Sequence, residues 1–377
     1  MQKIVLAPDS FKGSLSAIEV CQILAEVGQK HFPEAELVQL PIADGGEGLV
    51  DALLLACGGE KIWAAVEDPL GRPIQAFYGV LRDGTAVVEM AAASGLPLLK
   101  DSEKQILKTS TYGTGQLISY ALKRGCREFI LGLGGSATND GGAGAAAALG
   151  IRYLDREGSE IHSGGALRQL EQIDTSQLQA GLEQAKFKIA CDVNNPLYGP
   201  NGAAHIYGPQ KGANPKQIVL LDQGLRRLAS VIQAQTGLDM QDVTGSGAAG
   251  GLAVPFLAFL QAELMPGLAL VLEKVGFDDH LKGSDLVITG EGSTDAQSSM
   301  GKALSGIGRR AAAAGVPVIA ISGALQPGYE KLYDHGITAM FATTRRVCSL
   351  EEAMKEAESN LRATAEDVFR LLKYLKS

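Results

Sequence analysis

Short apolar segments alternate with amphipathic helical patterns at both ends of this chain, and this alternation limits the folds that it can adopt. Near the start, an apolar segment at residues 3–7 is followed by a helical pattern at 17–31. The alternation returns near the other end, where apolar segments at 286–289 and 316–322 flank a helical pattern at 302–314. Alternating strands and helices are typical of a parallel sheet covered by helices. We therefore predict an α/β fold with a Rossmann- or flavodoxin-like parallel sheet to which both chain ends contribute.

The middle of the chain departs from this alternation. Three strand patterns follow one another there with turn residues and no helix between them, at residues 63–66, 74–81 and 85–90. They predict an antiparallel meander, after which the alternation of helices and strands resumes. We predict a parallel-sheet domain made of residues 1–62 and 283–377, with a mixed α/β domain at 63–282 inserted into it. Two consecutive domains are the alternative interpretation.

Composition argues against several classes of protein. The 34 basic and 42 acidic residues give a net charge of −8 with no basic block, which is unlike a nucleic-acid or membrane surface. The 5 cysteines are widely spaced and predict reduced thiols and no zinc site. The longest apolar stretch, at 251–260, is shorter than the roughly 20 residues that a membrane span needs. We expect a cytoplasmic protein without a nucleic-acid or membrane partner, and the sequence is compatible with a homo-oligomer.

Glycine is enriched, with 47 residues among 377, and it gathers in loops that follow predicted strands. Ligands bind at the carboxyl ends of parallel strands, so these loops are candidate binding sites. In the first loop a carboxylate, a hydroxyl and an ammonium group (Asp9, Ser10 and Lys12) precede a helix start, where backbone amides favour anions. The alternative is an ordinary helix cap by Ser14 or Ser16, with Lys12 in solvent.

The second loop places two glycines between two acids, Asp44 and Glu47. Paired carboxylates suit Mg²⁺ or a sugar-like hydroxyl. The alternative is a capping box, with Asp44 as the N-cap and Glu47 three residues later.

The third loop spans residues 132–142 and joins a predicted strand to a predicted helix, an arrangement that holds phosphate on successive backbone N–H groups. Gly134, Gly135 and Ser136 are the candidates for that contact. The loop can also be read as G-x-G-x-x-A followed by Asp155, which would indicate a dinucleotide site. The Asn-Asp pair at 139–140 is unusual for such a site.

Other candidates lie farther along the chain. Asp192 follows a predicted strand and is a candidate base or metal ligand, while Lys211 occupies a rigid Gly-Pro-Gln-Lys-Gly turn that could equally be an exposed turn. The segment at 245–250 matches G-x-G-x-x-G, but no convincing strand precedes it.

The last group follows the predicted strand at 286–289. Gly290, Gly292 and Asp295 lie in the loop, and Lys302 lies at the start of the next helix. No stretch satisfies the P-loop pattern.

Taken in order, these segments resemble the glycerate kinase family. The matching segments are APDSFK at 7–12, ADGGEG at 43–48, GGSATNDGG at 134–142, CDV at 191–193 with NPL at 195–197, GPQKG at 208–212 and TGEG at 289–292. The resemblance implies ATP-dependent phosphorylation of D-glycerate, usually to 2-phospho-D-glycerate and ADP. It also implies Mg²⁺ and a two-domain α/β fold with the active site in the cleft between the domains. The chain departs from the family at Ser293 and Tyr112, where members often or sometimes carry arginine.

Under this interpretation each candidate receives a role in phosphoryl transfer, which needs positioned cations and an oriented hydroxyl. Asp192 is the expected base, and Lys12 with Lys211 would contact the phosphoryl group or the substrate carboxylate. The further candidates are Ser10, Asp44 and Glu47 for substrate, Gly134, Gly135, Ser136, Gly290, Gly292 and Lys302 for nucleotide phosphates, and Asp295 for the metal. An NAD-dependent oxidoreductase and a non-catalytic sugar-acid-binding protein remain the alternative functions.

Overall fold

The computed structural model describes residues 1–43, 45–299 and 303–376. Its strands, in chain order, are β1 Lys3–Leu6, β2 Glu36–Gln39, β3 Gly59–Glu67, β4 Pro73–Leu81, β5 Ala86–Glu89, β6 Glu128–Gly132, β7 Arg152–Asp155, β8 Leu170–Asp174, β9 Lys186–Ala190, β10 Glu263–Met265, β11 Leu286–Thr289, β12 Ser293–Thr294, β13 Val318–Ser322, β14 Ala324–Leu325 and β15 Ala339–Ala342. Its α-helices are α1 Ala17–His31, α2 Leu49–Cys57, α3 Ala91–Ser94, α4 Tyr112–Lys123, α5 Ala143–Ala148, α6 Ala203–Tyr207, α7 Pro215–Thr236, α8 Val254–Phe259, α9 Gly267–Lys274, α10 Phe277–Leu281, α11 Ala303–Ala313, α12 Leu350–Lys355 and α13 Ala357–Lys376.

The residues group into two compact units. The first comprises Met1–Asp44, Asp51–Gly58 and Leu268–Ser377, and the second comprises Gly45–Val50 and Gly59–Gly267. The units divide at 44/45, 50/51, 58/59 and 267/268, and the domain boundaries near residues 62 and 283 stay a prediction.

The first unit contains a five-stranded sheet in the order β15-β13-β11-β1-β2, and all its neighbouring strands are parallel. Strands from both ends of the chain therefore lie side by side, and the predicted α/β fold is confirmed. Parallel strands are buried on both faces, which is why β11 and β13 consist of consecutive buried residues. Helices α1 and α13 pack together beside this sheet, and Leu24, Val27 and Phe369 belong to its core.

The second unit contains a six-stranded mixed sheet in the order β10-β9-β6-β5-β4-β3. Strands β3, β4 and β5 pair antiparallel, which confirms the predicted meander, while β5, β6, β9 and β10 pair parallel. Stacked Phe129 and Phe187, with ring centroids 4.8 Å apart, lie at the centre of its core. The carboxyl ends of β6 and β9 therefore open at the same edge of this sheet.

Within the described ranges, no helix combines the length and the apolar character needed to cross a membrane.

Candidate functional site

The loop after β1 lies against the loop after β11 in the first unit. The Asp9 amide donates to the Gly290 carbonyl at 2.8 Å, and the Ser10 amide donates to the Asp9 carboxylate at 2.6 Å. A Cβ atom on Gly292 would lie 3.1 Å from the backbone nitrogen of Lys12, so the two backbones are nearly in contact. Because β1 and β11 are adjacent and parallel, both loops open at one edge of the sheet. The structure thus brings together the two loops that carry the predicted site residues Ser10, Lys12, Gly290 and Gly292.

The cap of α1 involves neither Ser10 nor Lys12. Ser16 is the N-cap, and it forms a capping box with Glu19 in which each side chain satisfies a backbone amide of the other. The Ser14 hydroxyl donates to a carbonyl in its own turn. The capping alternative is therefore confirmed for Ser16, and the Lys12 side chain is exposed outside the cap.

Two carboxylates organise the loop after β11. Glu291 Oε1 accepts hydrogen bonds from the hydroxyls of Thr294 at 3.1 Å and Ser298 at 2.5 Å. Asp295 Oδ1 accepts from the backbone amides of Gln297 at 2.7 Å and Ser298 at 3.2 Å. Sequence reasoning gave Glu291 no role, although it stands at the carboxyl end of a buried strand, and that position was the available signal.

The loop after β11 and the start of the next helix contain the predicted metal ligand, Asp295, and a predicted phosphate contact, Lys302. Asp295 already uses one oxygen to close its own turn, and its role as a metal ligand stays a prediction. Across residues 1–43, 45–299 and 303–376, no three His, Cys, Asp or Glu side chains gather in a way that could hold a metal ion. Lys302 lies outside the described residues.

In the second unit, the loop after β6 approaches the segment that precedes α2 very closely. A Cβ atom on Gly134 would lie 2.5 Å from the Gly46 Cα, and the Gly134 amide donates to the Gly45 carbonyl at 3.3 Å. Only glycine allows backbones to approach so closely. Glu47 is exposed, and Asp44 lies outside the described residues. The predicted second and third loops are therefore neighbours here.

Glu89 at the end of β5 fixes the segment before α2. Its carboxylate is 5% exposed and accepts hydrogen bonds from the backbone amides of Gly48 at 3.3 Å and Val50 at 2.7 Å. A carboxylate at a helix N-terminus satisfies amides that the helix itself leaves unpaired. Sequence reasoning missed this residue, and the only signal was an acid ending an otherwise apolar strand.

We expect replacement of Glu89 with alanine to lower the free energy of unfolding by about 2 kcal/mol, because one buried and one partly buried amide lose their acceptor. Hydrogen exchange at the Gly48 and Val50 amides should accelerate at the same time. Glu89→Gln, which keeps one acceptor oxygen, should lose less. Unchanged exchange at both amides in Glu89→Ala would contradict this assignment.

Asp140 holds the end of the third loop to two helices. Its side chain is fully buried and accepts from the amide and hydroxyl of Thr111, both at 2.8 Å, and from the amides of Gly142 at 3.1 Å and Gly144 at 3.2 Å. Burial raises the pKa of this carboxyl, while the four donors oppose that rise. The loop therefore ends on a rigid polar anchor.

Lys211 reaches the same loop from the turn after α6. Its side chain is 2% exposed, and its Nζ lies 2.7 Å from Ser136 Oγ and 2.7 Å from the Thr138 carbonyl. Burial lowers the pKa of Lys211 to about 7, and the negative charge of Asp140 opposes this shift. The exposed-turn alternative is therefore wrong, since the ammonium group points into the unit and holds the predicted phosphate loop.

The buried Lys211 should make stability depend on pH. Its pKa is depressed from 10.5 to about 7 in the folded protein, so between these values the unfolded chain binds more protons. Its contribution to stability should therefore be present above pH 10.5 and be lost as the pH falls towards 7. Relative to Lys211→Met, the wild-type free energy of unfolding should rise between pH 7 and 10 by on the order of 4 kcal/mol. Urea unfolding at several pH values measures this difference, and a pH-independent difference would contradict it.

Several buried polar atoms of the second unit have no hydrogen-bond partner within the described residues. Besides Arg152 Nε, they are Thr138 Oγ1, both side-chain polar atoms of Asn139 and Ser246 Oγ. Burying such atoms unpaired is unfavourable unless a ligand or water satisfies them. The atoms of Thr138, Asn139 and Ser246 mark the third loop, and the glycine-rich segment beside it, as a place that favours a polar occupant.

That glycine-rich segment, Gly245–Gly251, connects the loops after β9 and β6. The Gly247 amide donates to the Asn195 carbonyl at 3.0 Å, and the Gly141 amide donates to the Gly250 carbonyl at 2.9 Å. Among the described residues, the element that comes before this segment is helix α7 and not a strand, so the segment is not a dinucleotide fingerprint.

Asp192 lies in the loop after β9. Its side chain is exposed, and its Oδ1 accepts from the Gly267 amide at 2.9 Å. The carboxylate is thus oriented at the carboxyl edge of the mixed sheet, and its role as a base stays a prediction.

The dinucleotide interpretation of the third loop is wrong in its structural context. The strand that carries Asp155, β7, pairs antiparallel with β8 in a separate ribbon and does not join the sheet next to β6. Asp155 Oδ1 instead accepts from the amides of Glu157 at 2.9 Å and Ser159 at 2.8 Å. A ribose-binding acid would follow the next parallel strand of the same sheet.

Comparison with known proteins relates nearly the whole chain to one family. The profile of the glycerate kinase family matches residues 4–373. Glycerate kinase from Bacillus subtilis (strain 168) is 46% identical over 100% of this chain and 99% of its own length, and glycerate 2-kinase from Escherichia coli K12 is 45% identical over 95% of each chain. A crystal structure described as glycerate kinase 2 from Salmonella typhimurium LT2 superposes with a TM-score of 0.90 at 43% identity, over 100% of this chain and 99% of that one. The chain therefore belongs to the glycerate kinase family and is an enzyme of that family.

Proposed function

We propose that this enzyme transfers the γ-phosphoryl group of ATP to the 2-hydroxyl of D-glycerate in the cytoplasm, producing 2-phospho-D-glycerate and ADP. The observation that carries the proposal is the glycine-rich loop after β6, which hydrogen bonds of the buried Lys211 and Asp140 side chains fix in place. The name glycerate 2-kinase of the Escherichia coli relative supports the position of the new phosphate.

Phosphoryl transfer requires positioning and neutralisation of charge more than covalent chemistry. Backbone amides at Gly135, Gly290 and Gly292 are proposed to bind phosphate oxygens, and the exposed Lys12 to supply a cation. Gly134, whose own amide donates to the Gly45 carbonyl, is proposed to hold this loop in place. Ser10 and Glu47 are proposed to bind the hydroxy acid, and Asp192 to accept the proton of the reacting hydroxyl.

Mg²⁺ is the expected metal. It is usually bound by one or two carboxylates, the nucleotide phosphates and water, so a cage of several acids is unnecessary. A single carboxylate such as Asp295 fits that mode. Its Oδ1 accepts hydrogen bonds within its own turn, and its other oxygen would bind the metal. When bound, Mg²⁺ would neutralise charge on the phosphates.

The direct test is a coupled assay of ADP release with MgATP and D-glycerate, run beside L-glycerate. Phosphorus NMR of the product then separates the 2-phosphate from the 3-phosphate. ADP release that depends on D-glycerate is the expected result. Tight binding of D-glycerate without ADP release, by a folded protein, would reject the kinase proposal in favour of a sugar-acid-binding protein.

Replacement of Asp192 with asparagine should lower kcat by about 100-fold or more, because the variant keeps its shape but cannot accept a proton. The matched control is Asp334→Asn, at an exposed position of the first unit, which should retain full activity. An Asp192→Asn enzyme with wild-type kcat would remove Asp192 from the role of base.

A further inference from the structure

Lys211 is a buried lysine whose two hydrogen-bond partners both lie in the loop after β6. Its Nζ is 2.7 Å from Ser136 Oγ and 2.7 Å from the Thr138 carbonyl, and its side chain is 2% exposed. A lysine so placed does not reach solvent, so it acts on a ligand through the groups that it contacts. Of the two groups that Lys211 contacts, only the Ser136 hydroxyl carries a proton that can change its direction. Ser136 is 8% exposed.

No carboxylate among the described residues forms an ion pair with Lys211. The charged group that influences it is Asp140, whose carboxylate is already engaged by four donors. Lys104 packs against the neighbouring Gly212, and its own ammonium pairs with Asp101 at 2.7 Å.

Helix α6 also packs against this turn. Its His205 is exposed, and its Tyr207 hydroxyl donates to Asn195 at 2.6 Å. The buried charge thus lacks a counter-ion of its own.

Protonation of Lys211 restricts which way the Ser136 hydroxyl points. An ammonium group has donors only, so it donates to Ser136 Oγ and leaves the hydroxyl proton free to turn away from Lys211. A neutral amine keeps two N–H donors and gains a lone pair that can accept that proton, and when it does so Ser136 offers only acceptor lone pairs to the other side. An anion needs a donor, and the first arrangement alone provides one.

We propose that Ser136 donates its hydroxyl proton to an anionic group of the ligand, a phosphoryl or a carboxylate, and that binding of this anion is coupled to uptake of a proton by Lys211. Lys211 is thus a positioning residue that acts through Ser136. This inference rests on the proposed function in taking the loop after β6 as a ligand site, but it does not require turnover.

The test is isothermal titration calorimetry of the full chain in buffers of different ionisation enthalpy, which measures the protons taken up per ligand. D-glycerate carries no group that titrates near neutral pH, so it reports the carboxylate, while MgADP and inorganic phosphate report a phosphoryl site. With the pKa of Lys211 at about 7, the uptake that depends on Lys211, measured as wild type minus Lys211→Met, should be roughly 0.9 proton per ligand at pH 8 and about 0.1 at pH 6. Taking this difference removes the protons that phosphate and ADP exchange by their own ionisation. The probe that shows this uptake identifies which anion Ser136 binds.

Three variants separate this coupling from a structural role. Lys211→Met should bind the anion about 10-fold or more weakly and without the uptake. Ser136→Ala should weaken binding and lose most of the uptake while Lys211 stays in place, and Ser136→Thr, which restores a hydroxyl, should recover both. Lys216→Met, at an exposed position on α7, should behave as wild type.

The inference is overturned if none of the three probes binds the folded wild type, or if wild type binds without proton uptake at pH 8. It is also overturned if Lys211→Met, shown to be folded, takes up as many protons as wild type. Proton uptake that depends on Lys211 without any ADP release from MgATP and D-glycerate would reject the proposed function and leave this inference standing.

Discussion

Replacement of Asp140 with alanine should destabilise the protein by about 3–5 kcal/mol, the largest effect that we expect from a single side chain, because several buried donors lose their acceptor together. The substitution leaves the Thr111 hydroxyl and three backbone amides without their buried acceptor. It also removes the negative charge that opposes deprotonation of Lys211. Urea and thermal unfolding followed by circular dichroism measure the loss.

Asp155 offers a matched control for Asp140. It also accepts from two loop amides, but it is only partly buried in a surface turn. Asp155→Ala should cost about 1 kcal/mol or less, because water can replace the lost acceptor. Asp140→Asn, which keeps one acceptor oxygen, should fall between the two alanine variants. Equal losses for Asp140→Ala and Asp155→Ala would show that the buried network does not anchor the third loop.

Replacement of Gly290 with alanine should disrupt both stability and activity. The added Cβ would lie 1.8 Å from the Ile321 carbonyl oxygen, a backbone atom that cannot rotate away. The ends of β11 and β13 would have to separate, at a cost of about 3 kcal/mol. The loop with Glu291 and Gly292 would move with them, and a shift of about 1 Å in a positioning loop is expected to lower kcat/KM by about 100-fold. Unfolding curves and the ADP-release assay measure the two effects.

Gly315 is the control for this substitution. Its φ of +71° strains any side chain, yet a Cβ there would meet nothing within 4 Å. Gly315→Ala should therefore cost about 1 kcal/mol with activity unchanged. A Gly290→Ala enzyme that matched Gly315→Ala in both stability and kcat/KM would contradict the close packing of the loop after β11.

The general architecture could be predicted because it depends on patterns in consecutive residues. Strand-length apolar segments between helical patterns predicted the parallel sheet, and three strand patterns without a helix predicted the meander of β3, β4 and β5. The glycine-rich loops could also be located, because glycines that follow a strand have a meaning that the chain shows locally. These inferences needed no knowledge of which strands are neighbours.

The chemical state of the site residues could not be predicted in the same way. Lys211 in a Gly-Pro-Gln-Lys-Gly turn is equally compatible with an exposed cation and with a buried one. Glu89 carries no local sign of the amide that it accepts from 41 residues away, and Asp140 carries none of Thr111, 29 residues away. The interpretation of Asp155 as part of a dinucleotide site was wrong for a related reason. The spacing of strands along the chain does not reveal whether β7 joins the sheet or pairs with β8.

By itself, the sequence determined the class of fold, the parallel sheet contributed by both chain ends, the positions of the glycine-rich loops and the resemblance to the glycerate kinase family. Only the tertiary structure decided that Lys211 is buried against Ser136, 75 residues away, that Glu89 caps the segment before α2, and that Gly290 lies against the backbone of β13. The physical reason is one of range. Periodicity and turn chemistry act between neighbours in the chain, whereas burial and hydrogen-bond partners depend on residues that only packing brings together.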